Sequence, residues 1–330
     1  MLLLSEDDIR RLLSMDDLIE AMQAALIEYS HGRVEQPLRT VLDIKGSASV
    51  DGHAFFGVMP AHIPKSGALG TKLVTVFSRN AAIGLPSHLA TIILLDETSG
   101  ALMCVMDGRY ITEARTAAVS AVSARLLARD DTSVMAILGS GVQARSHLAA
   151  MTRVRPITEV RVWSPSAARR RAFVDEMQPT TSARLVSVDA AEDAVREAAL
   201  VVLATAAREP VVQSDWVAEG THIAAVGACR PDQREMDPTL VARARTFVDS
   251  RTGALAEAGD IVLAIREGRI DAAHIAGELG ELAAGDVAGR TTAREVTLFK
   301  SLGMAVEDVA AAHLAYVRAA ERGLGRGIPL

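Results

Sequence analysis

Two cysteines, Cys104 and Cys229, are all that the 330 residues contain, and that scarcity excludes a disulfide scaffold and a spaced zinc site. A reducing, cytoplasmic compartment is the corresponding expectation. No apolar run approaches the roughly 20 residues needed to span a bilayer; residues 90–95 are representative of the longest. The first residues, Met-Leu-Leu-Leu-Ser-Glu-Asp-Asp, lack the basic segment of a secretory signal. There is no basic excess either, since 35 Lys and Arg face 41 Asp and Glu for a net charge of −6. That balance argues against nucleic acid as a partner, and the three arginines at 169–171 read as a solvated helix face. Aromatic residues make up only 3% of the chain, and no repeat or low-complexity linker is present.

What is there suits a soluble α/β protein, with 49% hydrophobic and 23% charged residues. A single core stops growing near ~250–300 residues, so two domains are expected. Ser5 caps a short helix whose Glu6, Asp7 and Asp8 face the positive end of its dipole. Leu18, Met22, Ala25, Leu26 and Tyr29 form one stripe of a second helix over 15–29, which His31-Gly32 ends. The period then changes. Residues 39–44, 54–60, 71–77 and 89–96 are short, β-rich runs divided by Gly, Pro, Asn and Ser, as in a meandering sheet. A turn at 96–100 leads into a strand at 101–107, and an Ala-rich helix follows over 111–128.

From Ser133 onward strand-like runs (134–138, 160–163, 185–188, 200–204, 222–226, 246–249) alternate with helical ones (143–151, 167–177, 190–198, 237–244). Right-handed βαβ crossovers and a doubly wound parallel sheet follow from that alternation. The last helix, over 302–321, cannot extend such a sheet and is expected to return to the first domain. The division expected is therefore 1–120 plus 301–330, discontinuous, around an inserted 121–300.

The first strand of the second domain runs straight into Gly139-Ser140-Gly141-Val142-Gln143-Ala144, and a helix starts there. This is the Rossmann dinucleotide fingerprint with Ala at its third small position. Gly139 permits the tight turn, Gly141 lets backbone approach a pyrophosphate, and Ala144 allows close helix–strand packing. The helix N-terminus adds unpaired N–H groups and a favourable dipole. A carboxylate after the second strand would hold an adenosine ribose and repel a 2′-phosphate. Here Trp163-Ser164-Pro165-Ser166 is followed by Arg169 and Arg170. Hydroxyls and arginines without an acid favour NADP(H), with NAD(H) the alternative; the competing reading is that the arginines face water.

Several motifs together, in order, resemble the ornithine cyclodeaminase/mu-crystallin family: Gly70-Thr-Lys72-Leu-Val, Thr112-Glu-Ala-Arg115-Thr-Ala-Ala, Gly139-Ser-Gly-Val-Gln-Ala-Arg-Ser-His147, Val226-Gly-Ala-Cys-Arg-Pro-Asp-Gln-Arg-Glu235 and Phe299-Lys-Ser-Leu-Gly303-Met-Ala-Val-Glu-Asp308. The resemblance extends from about Ser5 to the last helix. It implies a homodimer in which the discontinuous domain binds substrate and mediates dimerisation, while the inserted Rossmann domain binds the nicotinamide cofactor. It also implies that Arg39, Lys72 and Arg115 hold a substrate carboxylate. Ser301, Leu302 and Gly303 match the segment near the nicotinamide, and Asn80, Thr205 and Val226 match positions lining the cofactor site. Independently of any family, cationic side chains suit an α-imino or α-amino acid that must present one carbon to a hydride donor. Arg115 lies in an apolar helix, so a buried partner is expected for it.

The position after Val226-Gly227-Ala228 separates activities within the family. Cyclodeaminases have aspartate there, whereas this chain has Cys229 followed by Arg-Pro-Asp, the arrangement that resembles ketimine reductases. A substrate that is already an imine needs only a hydride on carbon and a general acid for nitrogen. Lys72, Glu257 and Cys229 are the candidates for catalysis, Glu257 because a carboxyl enclosed by apolar neighbours would have a raised pKa and could act as an acid near neutrality. The leading expectation is therefore an NAD(P)H-dependent reductase of cyclic imino acids. An ornithine cyclodeaminase or alanine dehydrogenase, and a mu-crystallin-like NADP-dependent ligand-binding protein, are the alternatives.

Overall fold

The computed structural model describes residues 1–45 and 54–329. Its chain divides into two units, Met1–Arg115 with Met304–Leu330, and Thr116–Gly303. The first begins with β1 (Leu2–Leu4), α1 (Glu6–Leu12) and α2 (Met15–Ser30), then β2 (Thr40–Asp43), β3 (Ala54–Ile63), β4 (Ala68–Phe77), β5 (His88–Asp96), β6 (Leu102–Asp107) and the start of α3 (Arg109–Leu127). The second holds β7 (Val134–Leu138), α4 (Val142–Val154), β8 (Glu159–Trp163), α5 (Ala167–Met177), β9 (Arg184–Ser187), α6 (Ala191–Val195), β10 (Leu200–Leu203), β11 (His222–Ala225) and α7 (Pro238–Arg243). It continues through β12 (Arg245–Val248), α8 (Arg251–Glu257), α9 (Gly259–Arg266), β13 (Ile275–Glu278), α10 (Leu279–Ala284) and β14 (Thr297–Lys300). The chain ends with α11 (Ala305–Arg322) and β15 (Arg326–Gly327), back in the first unit.

In the first unit β2 to β6 form the antiparallel meander that the alternating pattern implies. The β5–β6 turn is closed by Asp96, whose Oδ1 accepts from Ser99 N at 2.8 Å and Thr98 N at 3.2 Å. The sheet has an extra strand that sequence reasoning did not expect. Leu2–Leu4 pairs parallel to β6, and β15 pairs antiparallel to it; three residues are too few to show a period. The 18-residue α11 covers β3, β4, β5 and α2. Along β4 every second residue from Ala68 to Val74 is buried, the pattern of a strand with one covered face.

The second unit is an eight-stranded, wholly parallel sheet in the order β13-β12-β14-β11-β10-β7-β8-β9. This is the doubly wound Rossmann arrangement: order reverses between β7 and β10, and ligands of such sheets bind at the carboxyl ends of strands beside that point. Alternate residues feed separate cores. Ala136, Leu138, Val201 and Leu203 pack in one cluster, and Met135, Ile137, Leu200 and Val202 in another, as a sheet covered on both faces requires. Strands β13 and β14 and helices α8 to α10 were not foreseen, since each strand has only four residues and the sequence between them has no clear period. Among the described residues no helix is long and apolar enough to cross a membrane.

Candidate active site

The strand period of β4 puts Lys72 on its covered face, with register partners Met59 on β3 and Ile92 on β5. A lysine there is 2% exposed. It survives because α11 brings an acid to it: Lys72 Nζ lies 2.6 Å from Asp308 Oδ2. Arg115, from the largely buried α3, donates from Nε to Asp308 Oδ1 at 2.9 Å and from Nη1 to Glu307 Oε2 at 2.6 Å. Glu307 and Asp308 sit in the first turn of α11, where the helix dipole favours negative charge, and Gln36 Oε1 accepts from Val306 N at 2.6 Å in the same turn. Arg39 is half-buried, and its charge also acts on Lys72. Lys72 and Arg115, from two different chain segments, thus converge on Asp308, with Arg39 within electrostatic reach of Lys72.

Burial pulls the Lys72 ammonium down to about 8; Asp308 opposes that fall, while Arg115 and Arg39 add to it. For Asp308, burial alone would raise the carboxyl, but the facing Arg115 and Lys72 outweigh it and hold the group below its ordinary value. His88, at the start of β5, is brought down to about 4 by burial and by the same two cations, so it is neutral near pH 7. Its Nε2 is buried without a hydrogen-bond partner. Sequence reasoning passed over it.

In the second unit the glycine loop has the geometry its residues suggest. Gly139 has φ +122°, and a Cβ there would lie 2.4 Å from Ala204 O, so only glycine fits between β7 and the end of β10. Gly141 is the N-cap of α4, has no side-chain cap, and a Cβ on it would meet nothing within 4 Å. The backbone at that helix end is therefore uncrowded on the side where a Gly141 Cβ would stand. Ala144 is fully buried in the cluster beneath. Val142 is exposed, and Gln143 Oε1 is buried without a partner. Arg145 donates to Ser140 O at 2.7 Å and Gly141 O at 3.1 Å, tying the loop carbonyls to the first turns of α4. Ser140 Oγ donates to Ser164 Oγ at 3.0 Å, so the two hydroxyls form one edge.

The two arginines after β8 part company. Arg170 is buried, donating to Ser164 O at 2.6 Å and to Asp189 Oδ1 at 2.5 Å. Arg169 is exposed in the first turn of α5. A third group of candidates lies at the other strand ends. Thr205 donates through N and Oγ to Glu235 Oε1, both at 2.7 Å. Val226 is buried, and its carbonyl accepts from Cys229 Sγ at 3.3 Å. Cys229 packs against the apolar cluster that includes Ala254 and Ala258, which flank the half-buried Glu257 at the end of α8. Asp249 Oδ2 accepts from Leu302 N at 2.6 Å, Gly303 N at 2.8 Å and Ser301 Oγ at 3.3 Å; these donors fix the segment after β14 to β12. Asn80 belongs to the first unit and donates to Pro86 O at 2.9 Å within its own loop.

Glu307, Asp308, Glu235, Asp249, Asp260 and Lys300 are among the buried charges that sequence reasoning did not single out. Paired acids opening an Ala-rich helix were a visible signal for the first two; the others lie in segments without a readable period.

The profile of the ornithine cyclodeaminase/mu-crystallin family matches residues 1–323. The chain is 41% identical to the mouse (Mus musculus) ketimine reductase mu-crystallin over 302 residues, 91% of each protein. The structure of Thermococcus litoralis Δ1-pyrroline-2-carboxylate reductase in complex with NADH and L-proline is similar at a TM-score of 0.95 and 40% identity, covering 99% of this chain and all of that one. An archaeal alanine dehydrogenase dimer with bound NAD is similar at 0.93 and 32%, covering 100% of this chain and 99% of that one.

Replacing Asp308 by Asn leaves Lys72 and Arg115 facing each other without their shared carboxylate, a loss worth about 3–5 kcal/mol for a buried pair. The folded value of Lys72 (about 8) lies below its free value of 10.5, so the cost of burying the ammonium is complete below pH 8 and is relieved as pH rises from there. Without Asp308 the ammonium is lost at still lower pH. Urea unfolding of D308N should therefore show a large loss of stability at pH 7 and a smaller one at pH 9.5; an equal loss at both would rule out the ion pair as its source.

Proposed function

The chain belongs to the ornithine cyclodeaminase/mu-crystallin family, and on that footing we propose that it is an NAD(P)H-dependent reductase of cyclic imino acids. The substrate is 1-pyrroline-2-carboxylate or its six-membered homologue 1-piperideine-2-carboxylate, and the product is proline or pipecolate. The observation that carries this reading is the buried Lys72–Asp308–Arg115 cluster, in a chain alike over its whole length to a reductase solved with NADH and L-proline. Cys229 in place of an aspartate supports imine reduction over cyclodeamination.

Residues 139–144 fit a dinucleotide: the open side of Gly141 leaves room for a pyrophosphate, and the uncapped α4 N-terminus supplies donors and a positive dipole end. When bound, the cofactor supplies a hydride to the C=N carbon. Lys72, Arg115 and Arg39 grip the substrate carboxylate, and the acids of α11 hold two of these cations in place before substrate arrives. In an α-imino acid, carboxylate and nitrogen sit on the same carbon, so an ammonium gripping the first is within reach of the second. We assign proton delivery to Lys72, because a value of about 8 is matched to operation near neutrality. Glu257 and Cys229 are the remaining candidates for that proton.

NADP(H) is the favoured cofactor. Arg169 and Arg171 stand exposed in the first two turns of α5, whose first turn carries no acid. Cations at the positive end of a helix are disfavoured by about 0.3–1 kcal/mol each unless an anion is there to offset them, and a 2′-phosphate beside Ser164 is such an anion.

A homodimer through the first unit fits its surface. Among the described residues β2 is wholly exposed and is the outermost strand of its sheet. Leu42, Phe56, Thr75 and Leu89 form one register row across β2 to β5, on the face opposite Lys72. Leu42 and Leu89 are 59% and 39% exposed. An open apolar edge of this kind invites aggregation unless another chain covers it.

Purified protein should oxidise NADPH rapidly with 1-pyrroline-2-carboxylate or its piperideine analogue, but slowly with pyruvate plus ammonia. Ornithine with the oxidised cofactor should give little; turnover confined to ornithine or pyruvate would overturn the proposal. K72M and R115A should each cut kcat/KM for the imine by ~10–100-fold, the worth of a charged hydrogen bond, with cofactor Kd unchanged. For the wild type, kcat/KM should fall as pH rises through about 8, where Lys72 loses its charge, and K72R should lack that limb. R169A should lower the preference for NADPH over NADH several-fold; an unaltered ratio would remove Arg169 from the cofactor site. Finally, sedimentation should give a dimer for the wild type and a monomer for L42E/L89E.

A further inference from the structure

Behind the strand ends of the second unit lies a buried polar bracket to which the proposed reaction assigns no role. Glu235 is fully buried. One carboxylate oxygen accepts from Thr205 N and Oγ, after β10, and the other accepts from Gly227 N at 2.8 Å and Ala228 N at 3.3 Å, after β11. A Cβ on Gly227 would lie 2.2 Å from Thr205 O, so the two segments touch. Ala204, next to Thr205, presses its carbonyl on Gly139. The backbone N–H groups of Glu235 and Met236 donate in turn to Asp260 Oδ1 at 2.8 and 3.1 Å, in the first turn of α9. Lys300 Nζ, at the end of β14 and fully buried, lies 3.3 Å from Asp260 Oδ2.

We propose that Glu235 is the positioning residue of the dinucleotide groove: its ionised carboxylate ties the ends of β10 and β11 together against Gly139. The reasoning is geometric. Four donors from two chain segments meet on two oxygens, and a neutral side chain cannot serve all four. A glutamine places an NH2 group against two N–H donors, and a protonated carboxyl gains a proton where it needs a lone pair. Either change parts Thr205 from Gly227, and the segment against Gly139 moves with it.

The charges facing Glu235 are Lys300 from β14, which has Cys229 within electrostatic reach, and Asp260 from α9. Burial raises the Glu235 carboxyl above its ordinary value; Lys300 opposes this, Asp260 adds to it, and the Thr205 bonds lower it. Acidification therefore protonates Glu235 at a higher pH than a free carboxylate, and dinucleotide affinity falls with it.

The inference rests on the proposed dinucleotide binding but not on the identity of the imine. The experiment is cofactor Kd by NADPH fluorescence from pH 5 to 8, without substrate, on folded wild-type, E235Q and D260N proteins. The wild type should lose affinity toward acid. E235Q should bind at least tenfold more weakly at pH 7.5, with that acid limb gone. D260N keeps an acceptor for the backbone but removes the charge that raises Glu235, so its acid limb should shift to lower pH; this variant decides the matter if E235Q fails to fold. Binding by E235Q equal to wild type, or weakened with the acid limb retained, would overturn the role of Glu235, as would an unshifted limb in D260N. A wild type that binds no dinucleotide would instead refute the function proposed above.

Discussion

A fully buried carboxylate, Asp308, is the constraint on which the first unit depends. It accepts a charged bond from Arg115 and faces the ammonium of Lys72, and none of the three groups is more than 4% exposed. Ions so deep are costly individually and are tolerated only as a hydrogen-bonded set. The set explains why the last helix must return to the first sheet. Within this set α11 supplies the acids, and β4 and α3 supply the cations paired with them. Such a set arranges charge in advance: Lys72 and Arg115 are held in fixed orientation by the acids they face.

The second unit uses the same device differently. Its buried acids, Glu235, Asp249 and Asp260, bond chiefly to backbone N–H groups at the ends of strands. Parallel strands end with unpaired donors and sharp turns, so a sheet with a ligand site at its carboxyl edge needs acceptors behind that edge. One half of the chain thus holds its buried acids against cationic side chains, and the other holds them against backbone donors. In both, the side chains expected to touch ligand are braced by residues expected not to.

Family membership and similarity to a proline-bound reductase narrow the chemistry, and individual residues narrow it further. Cys229 donates its thiol proton to the Val226 carbonyl, a poor stand-in for a carboxylate that must steer a proton in deamination. A lysine whose value falls near 8 is suited to an imine, where one proton and one hydride complete the reaction. Arg169 and Arg170, adjacent in sequence, show how finely roles divide, for one is fixed to Ser164 and Asp189 while the other is exposed.

The amino-acid sequence by itself determined the elements whose signals are local and periodic. These are the amphipathic α2, the meander of β3 to β6, the alternation from β7 to β11, and the glycine turn before α4, where φ and close packing leave no other residue. It also named Lys72 and Arg115 through resemblance and required a buried partner for the arginine. Which acid that would be, only the tertiary structure decided, because Asp308 lies 193 residues from Arg115 and no local pattern reports a contact of that span. The same holds for Glu235, Asp260 and Lys300, for the three-residue β1, and for the four-residue β13 and β14. Their places are set by which neighbours leave a donor, an acceptor or a strand edge unmatched, and that becomes visible only when distant segments meet.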